Sequence, residues 1–503
     1  MEKLPNILIL MCDQLNAGAL GCYHGPVPTP NIDRLAAEGV LFNNATCPYP
    51  VCSPSRASLV TGVYPHMHGI VYNCMRYDYL LENAPVTEEG ISGKDITTER
   101  ILHSEGYQTH HYGKWHLLGE ELPYYPDMYL EHHQYAADMR ATFEQVRLRG
   151  DDRWMNWYGW ALPVTVSAWH DFAVSSVRER WSHMPNYSQF IEKAGRLDLP
   201  VEDCFDYRVA EKTIHAIREC KGSPFMITCS FNNPHDPNVA PLPYYDLFDP
   251  AKIDLPAGEL ILEEQYQNDW SREIVKSLGE PSLRELLRIY YAQVKMVDDE
   301  VGKILDTLRE ESLERDTIVL FTADHGDMMG RHGMFWKSTS NFYDELVRVP
   351  FIIRFPAGVK SCTTEAAASL VDIMPTLLGM TGHPTPPQAQ GKDLSPFLTG
   401  AGDWKDAPEF SFCERLPWPP GNTRESRSYS NGSYMVRGNG WKYIRYFKET
   451  SIITREYLYH LESDPGETKN LAGTDAYRHI LSEMSARMEK WLRETCPGNT
   501  GAV

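Results

Sequence analysis

The sequence predicts an α/β fold. A large, mostly parallel or mixed sheet is sandwiched by helices, and a smaller C-terminal α+β subdomain with an antiparallel sheet and a helix follows it. Three observations indicate this class. Short apolar runs end in polar residues, as buried parallel strands do. Segments with helical periodicity separate these runs, and shorter β-like segments with a final amphipathic helix occupy the last hundred residues.

Four apolar runs have the length of buried strands: Asn6–Met11, Ser223–Phe231, Asp316–Thr322 and Pro350–Phe355. Thr29–Gly39 has a capping residue, a helical period and a terminal glycine, and is predicted to be a helix. A longer helix is predicted over Leu283–Leu308, whose apolar side carries Tyr290, Val294, Val297, Val301 and Ile304. The first run ends in Asp13 and Gln14, and the third in Asp324 and His325. These pairs should meet at the edge where open α/β sheets bind ligands.

A loop with Pro384, Pro386, Pro387 and Gly391 marks the predicted domain boundary, with a catalytic domain over 1–395 and a subdomain over 396–503. Within the subdomain, residues 433–436, 441–446 and 457–461 are predicted as strands, and 475–492 as the closing helix. Residues from about 120 to 200 form a predicted specificity insertion without a helical or strand period. It is rich in aromatic side chains: Trp154, Trp157, Tyr158, Trp160, Trp169 and Trp181. Most of these are expected to pack the insertion onto the domain, and at least one could line a pocket and stack on a sugar ring.

Bulk composition excludes several classes of partner. The chain has 503 residues and a formal charge of −20, which argues against nucleic acid and anionic membrane as partners because both would be repelled. No apolar run is long enough to span a bilayer. An anionic substrate would require positive charge concentrated locally.

The predicted location is the cytoplasm. The short apolar segment at the amino terminus ends at Asp13 without a small-residue cleavage site, and is interpreted as a buried strand instead of a signal peptide. Eleven cysteines without regular spacing indicate reduced thiols. A periplasmic or secreted protein whose leader has been removed would have the same sequence. The sequence carries no indication of the oligomeric state.

The most informative stretch runs from Pro50 to Gly62, where Cys52, Pro54 and Arg56 open a short apolar segment. Proline suits the first turn of a helix because it has no N–H to leave unpaired. Cys52 and Arg56 would then lie at the amino end of that helix, where backbone dipoles favour an anion. On chemistry alone, Cys52 could be a thiolate nucleophile or an inert buried thiol.

The spacing resembles the type I sulfatase signature Cys-x-Pro-x-Arg, followed by an apolar pair and Thr-Gly. Residues 106–116 resemble the second signature of that family, Gly-Tyr-x-Thr and then Gly-Lys-x-His, with Tyr112 where the family prefers a smaller residue. Pro30-Asn31-Ile32-Asp33 is similar to the family's first helix. The resemblance extends over most of the chain. It implies the alkaline phosphatase superfamily, and a nucleophile that is the hydrated aldehyde, formylglycine, made from Cys52.

The resemblance also implies a divalent metal, most simply Ca²⁺, with Mg²⁺ or Mn²⁺ as alternatives. The implied metal ligands are Asp13, Gln14, residue 52, Asp324 and His325. Gln14 and His325 depart from the commonest family pattern, since an imidazole suits softer metals than calcium. Similar Asp-Gln and Asp-His pairs occur in relatives that cleave choline sulfate or phosphonate monoesters.

The remaining implied roles belong to cations and histidines. By resemblance, Arg56 orients the hydrate, Lys114 and Lys337 bind sulfate oxygens, His116 holds the hydrate or acts as a base, and His235 protonates the leaving oxygen or binds sulfate. Lys337 has the weakest sequence support, because most lysines are solvated surface residues. Focused cations and a metal would stabilise charge that develops in the transition state.

The hypothesis is therefore a metal-dependent sulfatase acting on a small anionic sulfate ester, either a sulfated saccharide or a simple aryl or alkyl sulfate. An enzyme that installs the aldehyde, of the formylglycine-generating or sulfatase-maturating type, is the implied partner. One alternative is a phosphonate monoester or phosphodiester hydrolase of the same fold. Lys114 and His116 argue against it, because those relatives tend to lose the Gly-Lys-x-His segment. Another is a catalytically silent binder of sulfated glycans.

Overall fold

The fold was analysed in a computed structural model of the chain. It describes residues 4–74, 90–117, 154–157, 160–166, 194–256, 270–337, 341–416, 431–448 and 452–496.

A seven-stranded sheet forms the centre of the molecule, with strand order β11-β2-β10-β9-β1-β7-β3. Strands β1 to β11 span, in order, Asn6–Asp13, Val40–Thr46, Gln108–Gly113, Trp154–Trp157, Trp160–Val166, Gly195–Leu197, Phe225–Pro234, Val239–Pro241, Thr317–Ala323, Phe351–Arg354 and Cys362–Ser369. Four of these strands, β9, β1, β7 and β3, are adjacent and mutually parallel. Only β10 runs antiparallel to its neighbours within this sheet. The predicted mostly parallel, mixed sheet is confirmed.

Helices cover the sheet. In chain order, α1 to α10 span Pro30–Glu38, Cys52–Thr61, Pro65–His68, Thr98–Ser104, Phe205–Glu219, Trp270–Glu310, Asp344–Val347, Ile373–Met380, Ser395–Leu398 and Arg478–Thr495. The predicted helix over 283–308 lies inside α6, whose helical geometry is interrupted at Gly279 (φ 71°), shortly before Pro281. Its predicted apolar side is buried against the core.

Strand β1 shows why these residues form the centre of the sheet. All eight of its residues are buried, as expected for a strand covered by helices on both faces. It pairs with β7 on one side and β9 on the other. The three most apolar predicted runs therefore become three neighbouring strands.

The predicted insertion contains a β-hairpin, in which β4 pairs antiparallel with β5. The aromatic residues Tyr158, Trp169 and Trp181 lie outside the described residues. Strand β5 continues the pairing to β6, which joins β8 in a separate four-stranded sheet.

The C-terminal part contains a four-stranded antiparallel sheet. Strands β12 to β15 span Phe410–Arg415, Asn431–Gly438, Trp441–Lys448 and Ile452–His460, and they pair in sequence order. Helix α10 packs on β13 and β14 through a buried face that includes Met488 and Trp491. The α+β character of this part is as predicted, whereas the boundary at residue 395 stays a prediction. Among the described residues, no helix combines the length and the apolar character needed to cross a membrane.

Candidate active site

The site lies where four neighbouring parallel strands end. Asp13 is the last residue of β1, and Asp324 follows β9 on one side of it. On the other side, His235 follows β7 and Lys114 follows β3. The fold therefore collects residues from distant parts of the sequence at the carboxyl edge of the sheet, where α/β folds bind their ligands.

Cys52 is the first residue of α2 and is fully buried. Its Sγ lies 3.2 Å from His325 Nε2, 3.6 Å from Asp13 Oδ1 and 4.0 Å from Lys114 Nζ. The residue before it, Val51, is extended, so the nucleophile candidate lies at the turn into the helix, where the helix dipole favours negative charge. The predicted helix start at this segment is therefore observed.

Asp13, Cys52, Asp324 and His325 form a buried cluster in which one potential ligand atom from each lies within 4.8 Å of the others. The His325 Nδ1 atom is 2.9 Å from the Gly326 carbonyl oxygen and donates to it, so Nε2 is the atom directed at the cluster. Two carboxylates and one imidazole nitrogen are a donor set that suits a divalent cation. The residues present thus fit the implied metal, and the mixed oxygen and nitrogen donors do not restrict it to calcium.

Gln14 adjoins this cluster through its backbone. Its N–H donates to Asp324 Oδ1 (3.1 Å), its side-chain Nε2 donates to Asp327 Oδ2 (2.7 Å), and its Oε1 accepts from Lys337 Nζ (3.1 Å). The carboxylate of Asp327 therefore fixes which end of the amide faces Lys337. The prediction of Gln14 as a metal ligand stays a prediction.

Arg56 holds the two acidic residues together. Its Nε donates to Asp324 Oδ2 (2.7 Å), and one terminal nitrogen donates to Asp13 Oδ2 (3.3 Å). The other donates to the Lys114 carbonyl (2.6 Å) and to Ser230 Oγ (2.9 Å). Burial alone would raise the pKa of Asp13, but the positive charges of Lys114 and Arg56 hold it well below its ordinary value. The Asp13 carboxyl group is thus kept as an anion able to bind a cation.

Lys114 and His116 come from the loop that follows β3. The Lys114 ammonium group forms an ion pair with the Asp13 carboxylate. His116 adopts a positive φ (57°), and its carbonyl accepts a hydrogen bond from Ser53 Oγ (2.5 Å), which ties the loop to α2. Its buried Nδ1 has no hydrogen-bond partner among the described residues. Burial, followed by the charge of Lys114, keeps the pKa of His116 well below its usual range, so the ring is neutral near pH 7.

His235 and Lys337 form a second pair of residues at the site. Lys337 Nζ lies 2.8 Å from His235 Nε2, while His235 Nδ1 lies 2.7 Å from the Asp236 carbonyl and donates to it. The ammonium group is therefore the donor toward Nε2. Burial and the Lys337 charge lower the pKa of His235 well below its ordinary value. Lys337 is half-buried and held in place by two partners, although sequence reasoning gave it the weakest support.

All ten residues selected from the sequence lie at this one site. Sequence reasoning missed two residues. Asp327 orients Gln14, and Ser230 Oγ accepts a hydrogen bond from Arg56. Asp327 had a signal, because it is a second acid three residues after Asp324 at the same strand end. Ser230 lies inside an apolar strand and gave none.

Comparison with known proteins agrees with this geometry. A family model described as sulfatase matches residues 5–383, and a second, described as N-sulphoglucosamine sulphohydrolase, C-terminal, matches residues 330–494. An N-acetylglucosamine-6-O-sulfatase from Bacteroides thetaiotaomicron is 25% identical, over 98% of this chain and 87% of the relative.

Two solved structures share the fold. One is a complex with its substrate D-glucosamine-2-N,6-O-disulfate, with a TM-score of 0.70, 21% identity and coverage of 99% of both chains. The other is a phosphonate monoester hydrolase from Silicibacter pomeroyi, with a TM-score of 0.73, 22% identity and coverage of 99% of this chain and 97% of that one. Because the sulfatase model matches well over half of the sequence, the chain belongs to the sulfatase family of the alkaline phosphatase superfamily and is a sulfuric ester hydrolase.

Proposed function

We propose that this enzyme hydrolyses a sulfate ester carried by a sugar, and that its nucleophile is a formylglycine hydrate made from Cys52. The observation that supports this most strongly is the position of Cys52. Its Sγ lies within 4.0 Å of an acid, a histidine and a lysine at the amino end of a buried helix. A structural cysteine would not need such surroundings, whereas a nucleophile does.

An aldehyde hydrate solves a chemical difficulty. A serine or cysteine that attacked sulfur would remain as a sulfated side chain that water removes slowly. A hydrate carries two hydroxyl groups on one carbon. One oxygen attacks sulfur while the bond from sulfur to the alcohol oxygen breaks. The second hydroxyl then loses its proton and re-forms the aldehyde, so the C–O bond to the sulfated oxygen breaks and sulfate leaves.

A divalent cation held by Asp13, Asp324 and His325, with Gln14 as the further predicted ligand, would supply positive charge to the hydrate and to a sulfate oxygen. The residues of the chain perform the other tasks. Arg56 keeps the two carboxylates in place, and Lys114 and Lys337 provide ammonium groups for the remaining sulfate oxygens. The half-buried, neutral His116 would accept the proton of the second hydroxyl. Lys337 and His235 present one donor to the leaving oxygen.

This arrangement explains how an anionic ester enters a protein with a net charge of −20. Arg56, Lys114 and Lys337 all lie within hydrogen-bond networks at the same strand edge, so the positive charge is focused at the reacting centre. Asp13, Arg56 and Asp324 are almost completely buried there, which strengthens the interactions between them.

The sugar part of the proposal is supported by the relatives. An N-acetylglucosamine-6-O-sulfatase and a structure with a bound glucosamine disulfate both align over nearly the whole chain. A phosphonate monoester hydrolase has an equally similar fold, which keeps that reaction as the second candidate. Lys114 and His116 favour the sulfatase, and comparing an aryl sulfate with an aryl phosphonate ester on one preparation separates the two.

The decisive experiment examines residue 52 directly. Protein co-produced with a formylglycine-generating or sulfatase-maturating enzyme should yield a tryptic peptide around residue 52 that is lighter than the cysteine form. Its turnover should rise with the converted fraction. Cys52→Ala should abolish turnover, while Cys362→Ala, at an exposed free thiol, should leave it unchanged. Multiple turnover by Cys52→Ala would rule out the proposed nucleophile.

A further inference from the structure

The loop that carries His235 is held by a buried carboxylate outside the site already described. Asp206, at the start of α5, is 3% exposed. One of its oxygens accepts from the Asn232 N–H (2.7 Å) and the other from the Asn233 N–H (2.9 Å). Both carboxylate oxygens are thus used on two successive backbone groups at the end of β7.

A second buried side chain holds the same loop from the neighbouring helix α6. Gln293 of α6 is 1% exposed. Its Nε2 donates to Asn233 Oδ1 (3.2 Å) and to the Pro237 carbonyl oxygen (3.0 Å). The loop is therefore fixed on both sides of His235. The Asp206 carboxylate binds it before His235, and the Gln293 amide binds it both before and after His235.

This loop positions the His235 imidazole, which contacts Lys337. The His235 N–H donates to the Asn232 carbonyl (3.0 Å), in the turn whose N–H groups bind Asp206. The ring has its Nδ1 tied to the Asp236 carbonyl within the same loop, and its Nε2 meets Lys337 Nζ at 2.8 Å. A shift of the loop backbone would therefore move Nε2, and with it the partner that fixes the Lys337 ammonium group.

We propose that Asp206 and Gln293 are positioning residues for proton delivery to the leaving group, acting through the His235–Lys337 pair. This inference rests on the proposed sulfatase reaction. In that step the bond between sulfur and the ester oxygen breaks, and its electron pair stays on that oxygen. The oxygen takes one proton from the pair, directly from the ammonium group or through Nε2, and the alcohol departs. The pair regains a proton from water in the following turnover.

The inference predicts a dependence on the leaving group. A phenol with a strongly electron-withdrawing substituent leaves as its anion with little help, whereas a poor leaving group needs the proton. Misplacing a catalytic group by about 1 Å can cost about a hundredfold in rate. A displaced His235–Lys337 pair should therefore slow poor leaving groups much more than good ones.

The test uses Asp206→Asn in aldehyde-containing enzyme, with 4-nitrophenyl sulfate and phenyl sulfate as substrates. The amide keeps the size of the side chain but turns an N–H group toward Asn232 or Asn233, which are themselves donors. We expect kcat/KM for phenyl sulfate to fall at least about tenfold more than kcat/KM for 4-nitrophenyl sulfate. Gln293→Glu provides a second variant, because a carboxylate oxygen would face two acceptors.

The matched control is Asp372→Asn. Asp372 is also a buried acid that accepts from two backbone N–H groups, those of Ser369 and Lys392, both at 2.7 Å. It should cost thermal stability as Asp206→Asn does, without changing the ratio between the two substrates. Equal losses on both substrates in Asp206→Asn and Gln293→Glu would overturn the inference. A wild-type enzyme that carries the aldehyde and turns over neither the aryl sulfates nor a sulfated monosaccharide would instead contradict the proposed function.

Discussion

At the scale of single residues, Arg56 shows how the site holds two buried acids in place. The guanidinium group is 1% exposed and donates to four acceptors: Asp13, Asp324, Ser230 and a backbone carbonyl. A group committed in this way cannot turn to meet a sulfate oxygen without releasing a buried carboxylate, which would be costly. We therefore expect Arg56 to act on the acids and on residue 52, and Lys114 and Lys337 to meet the substrate.

His325 permits a prediction about metal preference. Replacing it in His325→Asn exchanges an imidazole nitrogen for an amide oxygen, which suits harder cations. We expect the preference for Ca²⁺ over Mn²⁺ to increase: the dissociation constant of Mn²⁺ divided by that of Ca²⁺ should rise about tenfold, which corresponds to about 1.4 kcal/mol. The readout is the rise in melting temperature with added metal, which does not depend on turnover.

His383→Asn is the control for this measurement, because His383 contacts Thr381 Oγ1 (2.9 Å) and Glu105 (4.0 Å) and does not belong to the cluster. An unchanged ratio in His325→Asn would mean that its imidazole does not bind the metal. A shift toward manganese would contradict the expected ligand chemistry.

At the scale of secondary-structure elements, the junction of β3 and the Lys114 loop requires a glycine. Gly113 has a φ of +90°, and a Cβ there would collide with the Ser230 carbonyl of the adjacent strand β7. Gly106 has nearly the same φ, +91°, but open space around it. Comparing substitutions at Gly106 and Gly113 therefore separates the cost of backbone strain from the cost of steric overlap.

We expect Gly106→Ala to cost about 1–2 kcal/mol from the left-handed backbone alone. Gly113→Ala should cost about 1–3 kcal/mol more because β3 and β7 must move apart. Urea unfolding of the two variants measures the difference. Equal losses would show that the contact with Ser230 relaxes without cost.

A buried ion pair connects α3 with the C-terminal sheet. His66 Nδ1 lies 2.8 Å from Glu414 Oε2, and its Nε2 faces the Thr495 carbonyl at 3.3 Å, so both ring nitrogens meet acceptors. Burial disfavours the charged ring, but the Glu414 carboxylate outweighs it and raises the pKa of His66 to about 10. The fold therefore holds an imidazolium.

This raised pKa predicts how stability depends on pH. Because the folded-state pKa exceeds the value near 6.5 of an unfolded histidine, the contribution is fully present below pH 6.5. It declines as the pH rises and is lost above about pH 10. We expect Glu414→Gln to lower the free energy of unfolding by roughly 3–5 kcal/mol near pH 6. The difference from the wild type should shrink toward pH 10, and a difference that is constant with pH would contradict a charged His66.

The elements differ in how well the sequence predicts them. Strands β1, β7 and β9 are nearly continuous apolar runs, as expected of strands buried on both faces, and the length and apolar character of these runs identified them. Strands β2 and β11 were missed. β2 turns polar at Asn43 and Asn44, and β11 has exposed residues and an alanine run with weak strand preference. The pairing of β11 with β2, and of β2 with β10, is a tertiary effect that no local sequence pattern predicts.

At the scale of the whole molecule, the site could be predicted because its residues occupy strand ends, a position that the sequence marks by an apolar run followed by polar residues. The contacts that hold the site residues in position could not be predicted from the sequence. Asp206 and Gln293 look like ordinary polar residues of amphipathic helices, and only the packing of α5 and α6 around β7 brings them to the His235 loop. The same holds for the contacts between the main sheet and the C-terminal subdomain.

Lys442 is the centre of those contacts. It is fully buried, and its Nζ lies 2.7 Å from Asp344 Oδ1, 2.7 Å from Glu467 Oε1 and 2.8 Å from the Phe342 carbonyl. The segment it holds runs directly into α7, and the Leu346 carbonyl accepts from the Gly326 N–H (2.8 Å) beside the site residues Asp324 and His325. The C-terminal sheet thus supports the loop that carries half of the buried cluster.

Lys442→Met should therefore destabilise the whole chain. Removing the ammonium group takes a partner from two buried acids, Asp344 and Glu467, and breaking such a buried pair typically costs about 3–5 kcal/mol. Lys405→Met is the control, since Lys405 pairs with Asp403 at the surface and should change stability by less than about 1 kcal/mol. If the C-terminal sheet supports the site as described, the catalytic part and the C-terminal subdomain of Lys442→Met should unfold together in one transition. Metal binding should already be weaker in the folded variant than in the wild type. Two separate unfolding transitions in the wild type, or full metal affinity in Lys442→Met, would show instead that the subdomain is energetically independent of the catalytic part.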